Sequence, residues 1–241
     1  MHKAFNLVLL FLGMEKEKTE NLEESPLSGA ELERLAREQK KLSKQVKLED
    51  AFDFSLVQTL GGLCTAFLNN KIIAAAVVMD SEMKIIEQSY EIQKTIFPYV
   101  AEFRAYRELP AMLACYNKLE NVPDIVFILG HGVAHPRYFG IASHFALATQ
   151  KPTIGIAKKL ICGELEGDKI VLGSKVVGHV LVTKIGAKPL FVSPGGFISV
   201  DSALELTKRF TRPPHKLPEP LHVACHYSKK IREEIMRKKN L

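Results

Sequence analysis

The chain has 241 residues, 46% of them hydrophobic and 25% charged, with a net charge of +6 at pH 7. These values suit one soluble α/β domain, alone or with extensions, and a charge that fits a polyanionic partner or plain solubility equally well. No run reaches the roughly 18 apolar residues of a membrane helix, and four cysteines (Cys64, Cys115, Cys162, Cys225) stand without CxxC spacing, which argues against a zinc ribbon or disulfide framework and fits a reducing cytoplasm.

The stretch AFNLVLLFLG (4–13), preceded by Lys3, has the look of a signal-peptide core. The acidic and lysine-rich MEKEKTENLEES that follows has no small-residue cleavage site, so Met14 as the true start is preferred over a cleaved signal. Residues 14–27 are charged and end in ESPLSG, a mobile lead-in, and 1–27 is set aside as an N-terminal extension. SGAELERLAREQKKLSKQV (28–46) predicts a helix. Ser28 caps it, Glu31 completes a capping box, and Leu32, Leu35 and Leu42 form an apolar stripe opposite a solvated charged face.

From Val57 the period changes. VQTLGGLCTAFL, KIIAAAVVMD and MKIIEQSYEI are strand-like runs joined by NNK and DSE, an antiparallel meander. YVAEFRAYRELPAMLACYNKL (99–119) has helical apolar spacing, with Pro110 to break or kink it. Elements then alternate: strand 124–129, helix 140–150, strand 153–157, a hairpin-like stretch 168–183, strand 189–193 and helix 199–211. The order predicts a mixed central sheet flanked by helices, within a domain over 28–235 that a basic tail (236–241) follows. Site chemistry is expected where the first strand ends near Cys64, the fourth ends at Leu129, and the helix carrying Glu108 approaches.

DIVFILGHGVAHPR (124–137) runs from an apolar strand into a loop of glycines, histidines and an arginine, as α/β active sites often do. Taken singly, each such motif is better explained by structure. PYVAEF reads as a turn with a packed tyrosine, and IGIAKK as a buried strand ending in surface lysines. Their order is more specific. GGLCTAF, PYVAEFRAYRELPAML, DIVFILGHGVAHPRYFGIASHFAL, PTIGIAKKLICG, KPLFVSPGGFISVDSAL and KLPEP follow one another as in the endonuclease V family, and the resemblance covers roughly residues 30–235.

That resemblance implies a ribonuclease H-like fold. It also implies recognition of deaminated adenine (inosine) in DNA or RNA, a link to DNA repair, and magnesium-dependent cleavage of a phosphodiester on the 3′ side. By the same resemblance Tyr99 is a strand-separating wedge. Gly130 and Gly132 bring backbone to the flipped base, His135 and Ile141 border that pocket, and Lys158 stands near the scissile phosphate.

The family's metal site does not carry over in full. Glu108 keeps the glutamate position, but Cys64 and Leu129 stand where the resemblance implies two metal-binding aspartates. Gly196 stands for a histidine, and Cys225 for an acid in PEPLHVAC. One carboxylate is too little for magnesium, and cysteine is a soft ligand better matched to zinc. Cys64, Cys225, Glu108 and a histidine make a conceivable zinc site, although packing as small core residues is the preferred reading of the cysteines. Asp201 is assigned to helix capping.

The leading reading is a nucleic-acid-binding relative with cleavage lost or weak. It uses Tyr99, loop 130–135, Lys158 and the basic segments TKRFTRPPHK and SKKIREEIMRKKNL, which track phosphates or are simply solvated. An active deoxyinosine 3′ endonuclease with non-standard ligands and a scaffold with a vestigial pocket are the alternatives.

Overall fold

The computed structural model describes residues 27–95, 97–184 and 186–239. The choice between signal peptide and later start, and the last two residues of the basic tail, lie outside the described residues. Helix α1 (Gly29–Ser43) begins at the capping box read from the sequence: the Ser28 side chain accepts from the Glu31 N–H, and the Glu31 carboxylate accepts from the Ser28 N–H at 2.8 Å. Leu35 and Leu42 turn inward, leaving its charged face to solvent.

Strands β1 (Thr59–Leu68), β2 (Lys71–Asp80) and β3 (Ile85–Lys94) form the antiparallel meander. β1 also pairs in parallel with β4 (Ile125–Leu129), and β4 with β5 (Thr153–Ala157). The predicted hairpin over 168–183 is part of a larger ribbon. β6 (Glu164–Glu166), β7 (Lys169–Leu172) and β8 (Lys175–Leu181) are joined by tight turns in which Gly167 and Gly173 adopt φ of +64° and +61°, a region glycine enters without steric cost. β9 (Leu190–Gly196) closes the order β3-β2-β1-β4-β5-β9-β8-β7-β6. This is the mixed central sheet that the sequence predicts.

Because side chains alternate along a strand, the two faces of the sheet build two cores. On one face Leu63, Val126 and Ile128 pack against α2 (Arg104–Tyr116) and α3 (Ile141–Thr149). On the other, Leu60, Cys64, Ile125 and Phe127 pack against α4 (Val200–Arg209) and α5 (Glu219–Lys239).

The helix expected from residue 99 starts later, at Arg104, after a 3₁₀ turn over Ala101–Phe103. It also continues through Pro110. Proline removes a single N–H donor there, while Leu109, Met112 and Leu113 stay buried and anchor both halves. α5 lies in a segment that the sequence reading left as basic chain, although Leu221, Ala224, Cys225, Ser228 and Ile231 are buried at helical spacing. Among the described residues no helix is long and apolar enough to cross a membrane.

Candidate functional site

The site grows from register. Parallel pairing of β1 with β4 ends at Leu63↔Ile128, and that of β4 with β5 at Leu129↔Ile156. Cys64, Leu129 and Lys158 therefore arrive at one edge, where they line a cleft of about 370 Å³. Cys64 lies within β1 and not at its end, because β1 continues into the hairpin with β2. The opposite wall belongs to α5, which presents His222, His226, Lys229 and Arg232.

Gly62 makes this approach possible. A Cβ there would run into the carbonyl of Pro220, so the missing side chain lets the start of α5 lie on the β1 backbone. Cys225 then meets Cys64, and the two form a disulfide with Cα atoms 5.0 Å apart and 161 residues between them in sequence. The expectation that the cysteines form no disulfide is overturned. Spacing cannot reveal a pair that a crossing of helix and strand brings together. Both residues are buried in the core, as their packing role requires, and the bond leaves no thiolates for the conceived zinc site. Cys115 and Cys162 are free thiols.

Glu108 reaches the same region from the other face of the sheet. Thr65, pointing opposite to Cys64, donates from its hydroxyl to Glu108 Oε2 at 2.6 Å. Arg104 holds both carboxylate oxygens, Nε to Oε1 at 2.7 Å and Nη2 to Oε2 at 2.9 Å, and also donates from Nη2 to the Leu129 carbonyl at 3.3 Å. Burial works against the Arg104 charge, but the charge and hydrogen bonds of Glu108 outweigh it, so its pKa is raised.

Glu108 is 1% exposed and is committed to a cation and a hydroxyl. Leucine and a disulfide offer no hard oxygen donor. This donor set does not fit magnesium, which wants carboxylates and water, and among the described residues no group of three or more potential ligand side chains gathers.

The glycine loop lies on the α2–α3 side. A Cβ on Gly130 would collide with Ile141 Cγ2, so these two candidate residues touch; one on Gly132 would strike the Pro194 carbonyl, a structural need for glycine. His135 is buried, with Nε2 donating to the Glu102 carbonyl at 3.0 Å and Nδ1 accepting from the Arg137 N–H at 3.3 Å. Burial, helped by the Arg137 charge, pushes its pKa down to about 4. With His131, Arg104 and Ile141 it borders a cavity of only about 10 Å³, room for about one water and no base.

Arg137 donates from Nε to Gln39 Oε1 at 2.6 Å and from Nη1 to Glu102 Oε2 at 2.7 Å, and lies over the Phe103 ring. Tyr99, 65% exposed, precedes this network on its loop, within electrostatic reach of Arg104.

Two other positions behave differently from expectation. Gly196 pairs with Thr153, at the far end of β5 from Lys158, and its open side faces Ala146 and Val46 rather than the cleft. Asp201 is not the helix cap. Ser199 has the extended backbone of a cap and accepts from the Ser202 N–H, while Asp201 sits in the first turn with Oδ1 3.5 Å from His179 Nε2.

Gln39, Glu102 and Arg104 escaped the sequence reading, as did the α5 wall. The signal for the wall is the spacing of 222, 226, 229 and 232, which is one helical face.

Comparison with known proteins gives a consistent result. The family model Endonuclease V matches residues 40–226. The endonuclease V of Thermosipho melanesiensis is 37% identical over 232 residues, covering 92% of this chain and 97% of the relative. The catalytic domain of human endonuclease V superposes with a TM-score of 0.78 at 26% identity, covering 87% of this chain and 99% of that one. Endonuclease V of Ciona intestinalis, bound to a 24mer DNA containing an inosine followed by a ribo-adenosine, shares the fold with a TM-score of 0.77 at 24% identity, covering 86% and 99%.

Proposed function

Since the chain belongs to the endonuclease V family and has its ribonuclease H-like fold, we propose that it is a member that binds deaminated or distorted DNA or RNA and has lost, or nearly lost, magnesium-dependent cleavage. The observation that carries this reading is that Cys64, bound to Cys225 in a disulfide, and Leu129 stand at the two positions where the family resemblance implies metal-binding aspartates. Glu108, tied to Arg104 and Thr65, supports the same reading from the other face.

In this proposal Tyr99 inserts at the lesion, and Gly130, Gly132, His135 and Ile141 form the base pocket. The small cavity there has to open, through movement of the Arg137–Glu102–Gln39 network, before a base enters. Lys158 then contacts the strand's phosphates. The cytoplasmic location expected from the cysteines loses its support, because the Cys64–Cys225 disulfide is a bond that reducing compartments rarely keep.

Gel retention with matched strands containing inosine or adenosine tests the binding half. We expect preferential retention of the inosine strand, and at least a tenfold loss with Tyr99→Ala. Equal retention of both strands would contradict the reading and favour a scaffold role.

A further inference from the structure

The cleft has not merely lost its acids; its lining has become basic. His222, His226, Lys229 and Arg232 are spaced four, three and three residues apart on α5 and form one ridge. Lys158 faces the ridge from the end of β5. Among the described residues no carboxylate lines the cleft. Glu219, which acts electrostatically on His222, is engaged by His215 at 2.7 Å, and Glu108 is enclosed by Arg104 and Thr65.

Lys229 is electrostatically coupled to both sides. Partial burial lowers the Lys158 pKa first, and Lys229 and Lys216 lower it further. For His222 the downward causes are burial, then His215, His226 and Lys229, against an upward pull from Glu219. Arg232 adds an independent sign: its Nε–H is buried with no hydrogen-bond partner. A buried donor without an acceptor is costly, and a turn of the Arg232 side chain toward the cleft it lines would let an anion there accept from the guanidinium. The disulfide pins the ridge to β1 opposite Lys158, so the cations are held in place before any ligand arrives.

From this geometry we infer that the cleft is a phosphate-binding site that needs no metal, with Lys158, Lys229 and Arg232 as its anion-holding groups. The inference rests on the proposed nucleic-acid-binding function for the source of the phosphate, a strand's backbone. Cations of the chain hold that phosphate directly.

The test uses the full, oxidised chain in excess EDTA. Inorganic phosphate is titrated while the ring resonances of His222 and His226 are followed by NMR, and an oligonucleotide is titrated in parallel by fluorescence anisotropy. We expect saturable histidine shifts, and strand affinity unchanged by EDTA. In Lys158→Ala/Lys229→Ala we expect the phosphate response to vanish and strand affinity to fall at least tenfold. The log–log salt slope for a single strand should shrink by about 1.4, roughly 0.7 for each lost phosphate contact. Lys238→Ala, on the same helix outside the cleft, should keep the phosphate response.

Strand affinity at least a hundredfold above that of inorganic phosphate identifies the backbone as the source, and comparable affinities identify free phosphate. Absence of saturable shifts, or a double variant that responds like the parent, overturns the site. If EDTA abolishes binding and magnesium restores inosine-selective retention, this inference fails while the proposed function stands. If phosphate shifts persist without inosine selectivity, the reverse holds.

Discussion

Arg104 and Glu108 are one residue pair with two duties: they close the α2 face of the sheet and withhold a carboxylate from the cleft. Glu108 is 1% exposed and Arg104 is partly buried, so removing the cation strands a charge in the core. Arg104→Ala should therefore cost about 3–5 kcal/mol in urea unfolding. Adding Glu108→Gln should recover part of that loss, and a double variant no more stable than Arg104→Ala would show that the pair is not coupled.

The positions where the family resemblance implies acids make a second expectation at the same scale. Cys64→Asp/Leu129→Asp/Cys225→Asp gathers carboxylates at the cleft edge, where they repel one another without a cation. Magnesium should then raise the melting temperature of the triple variant in a concentration-dependent way, and leave that of the parent unchanged. An equal response of the two proteins would mean that these positions do not converge on a metal-sized space.

At the scale of elements, the disulfide decides how α5 is held. It closes a loop of 161 residues, and cross-links of such length stabilise by about 2–5 kcal/mol, mainly through the unfolded chain. Calorimetry with and without a thiol reductant should show the melting temperature falling by roughly 5–15 °C on reduction, as expected for a domain of this size. Cys64→Ser should match the reduced protein and be insensitive to reductant.

The elements differ in how legible they were. α1 and the meander carry their own signals, a capping box and runs of apolar residues bounded by turn residues, so local sequence suffices. α5 carries a helical stripe too, but its lysines and arginines suit a phosphate-tracking or solvated segment equally well and mask that stripe. The Cys64–Cys225 contact leaves no local trace at all, since it depends on Gly62 admitting a helix from the far end of the chain. The glycine loop was easier, because Gly130, His135 and Ile141 are near neighbours in sequence as well as in space.

The whole molecule carries an acid sensitivity that follows from buried rings. His144 packs between Phe139 and Tyr106 with its Nε2 unpartnered, and burial pushes its pKa down to about 3; that of His135 lies at about 4. In the unfolded chain both titrate near 6.5. Above that pH neither state takes up these protons and the folded protein keeps its full stability. As pH falls below 6.5 the unfolded chain binds protons that the folded one refuses. Stability declines until about pH 4 for His135 and about pH 3 for His144, by several kcal/mol in all. Urea unfolding at pH 7 and pH 5 should show this loss, and His144→Phe should lessen it. An undiminished loss in the variant would place the acid sensitivity elsewhere.

The same three-dimensional arrangement also frames the central claim. The chain has a glycine loop, an exposed tyrosine and a lysine where the proposed function needs them, while the converging strand ends hold a leucine and a disulfide. The most direct measurement is single-turnover cleavage, with protein in excess over an inosine-containing strand, in magnesium and in manganese. The expected result is a retained and intact strand. Cleavage to the 3′ side of inosine that disappears in Glu108→Ala would contradict the account.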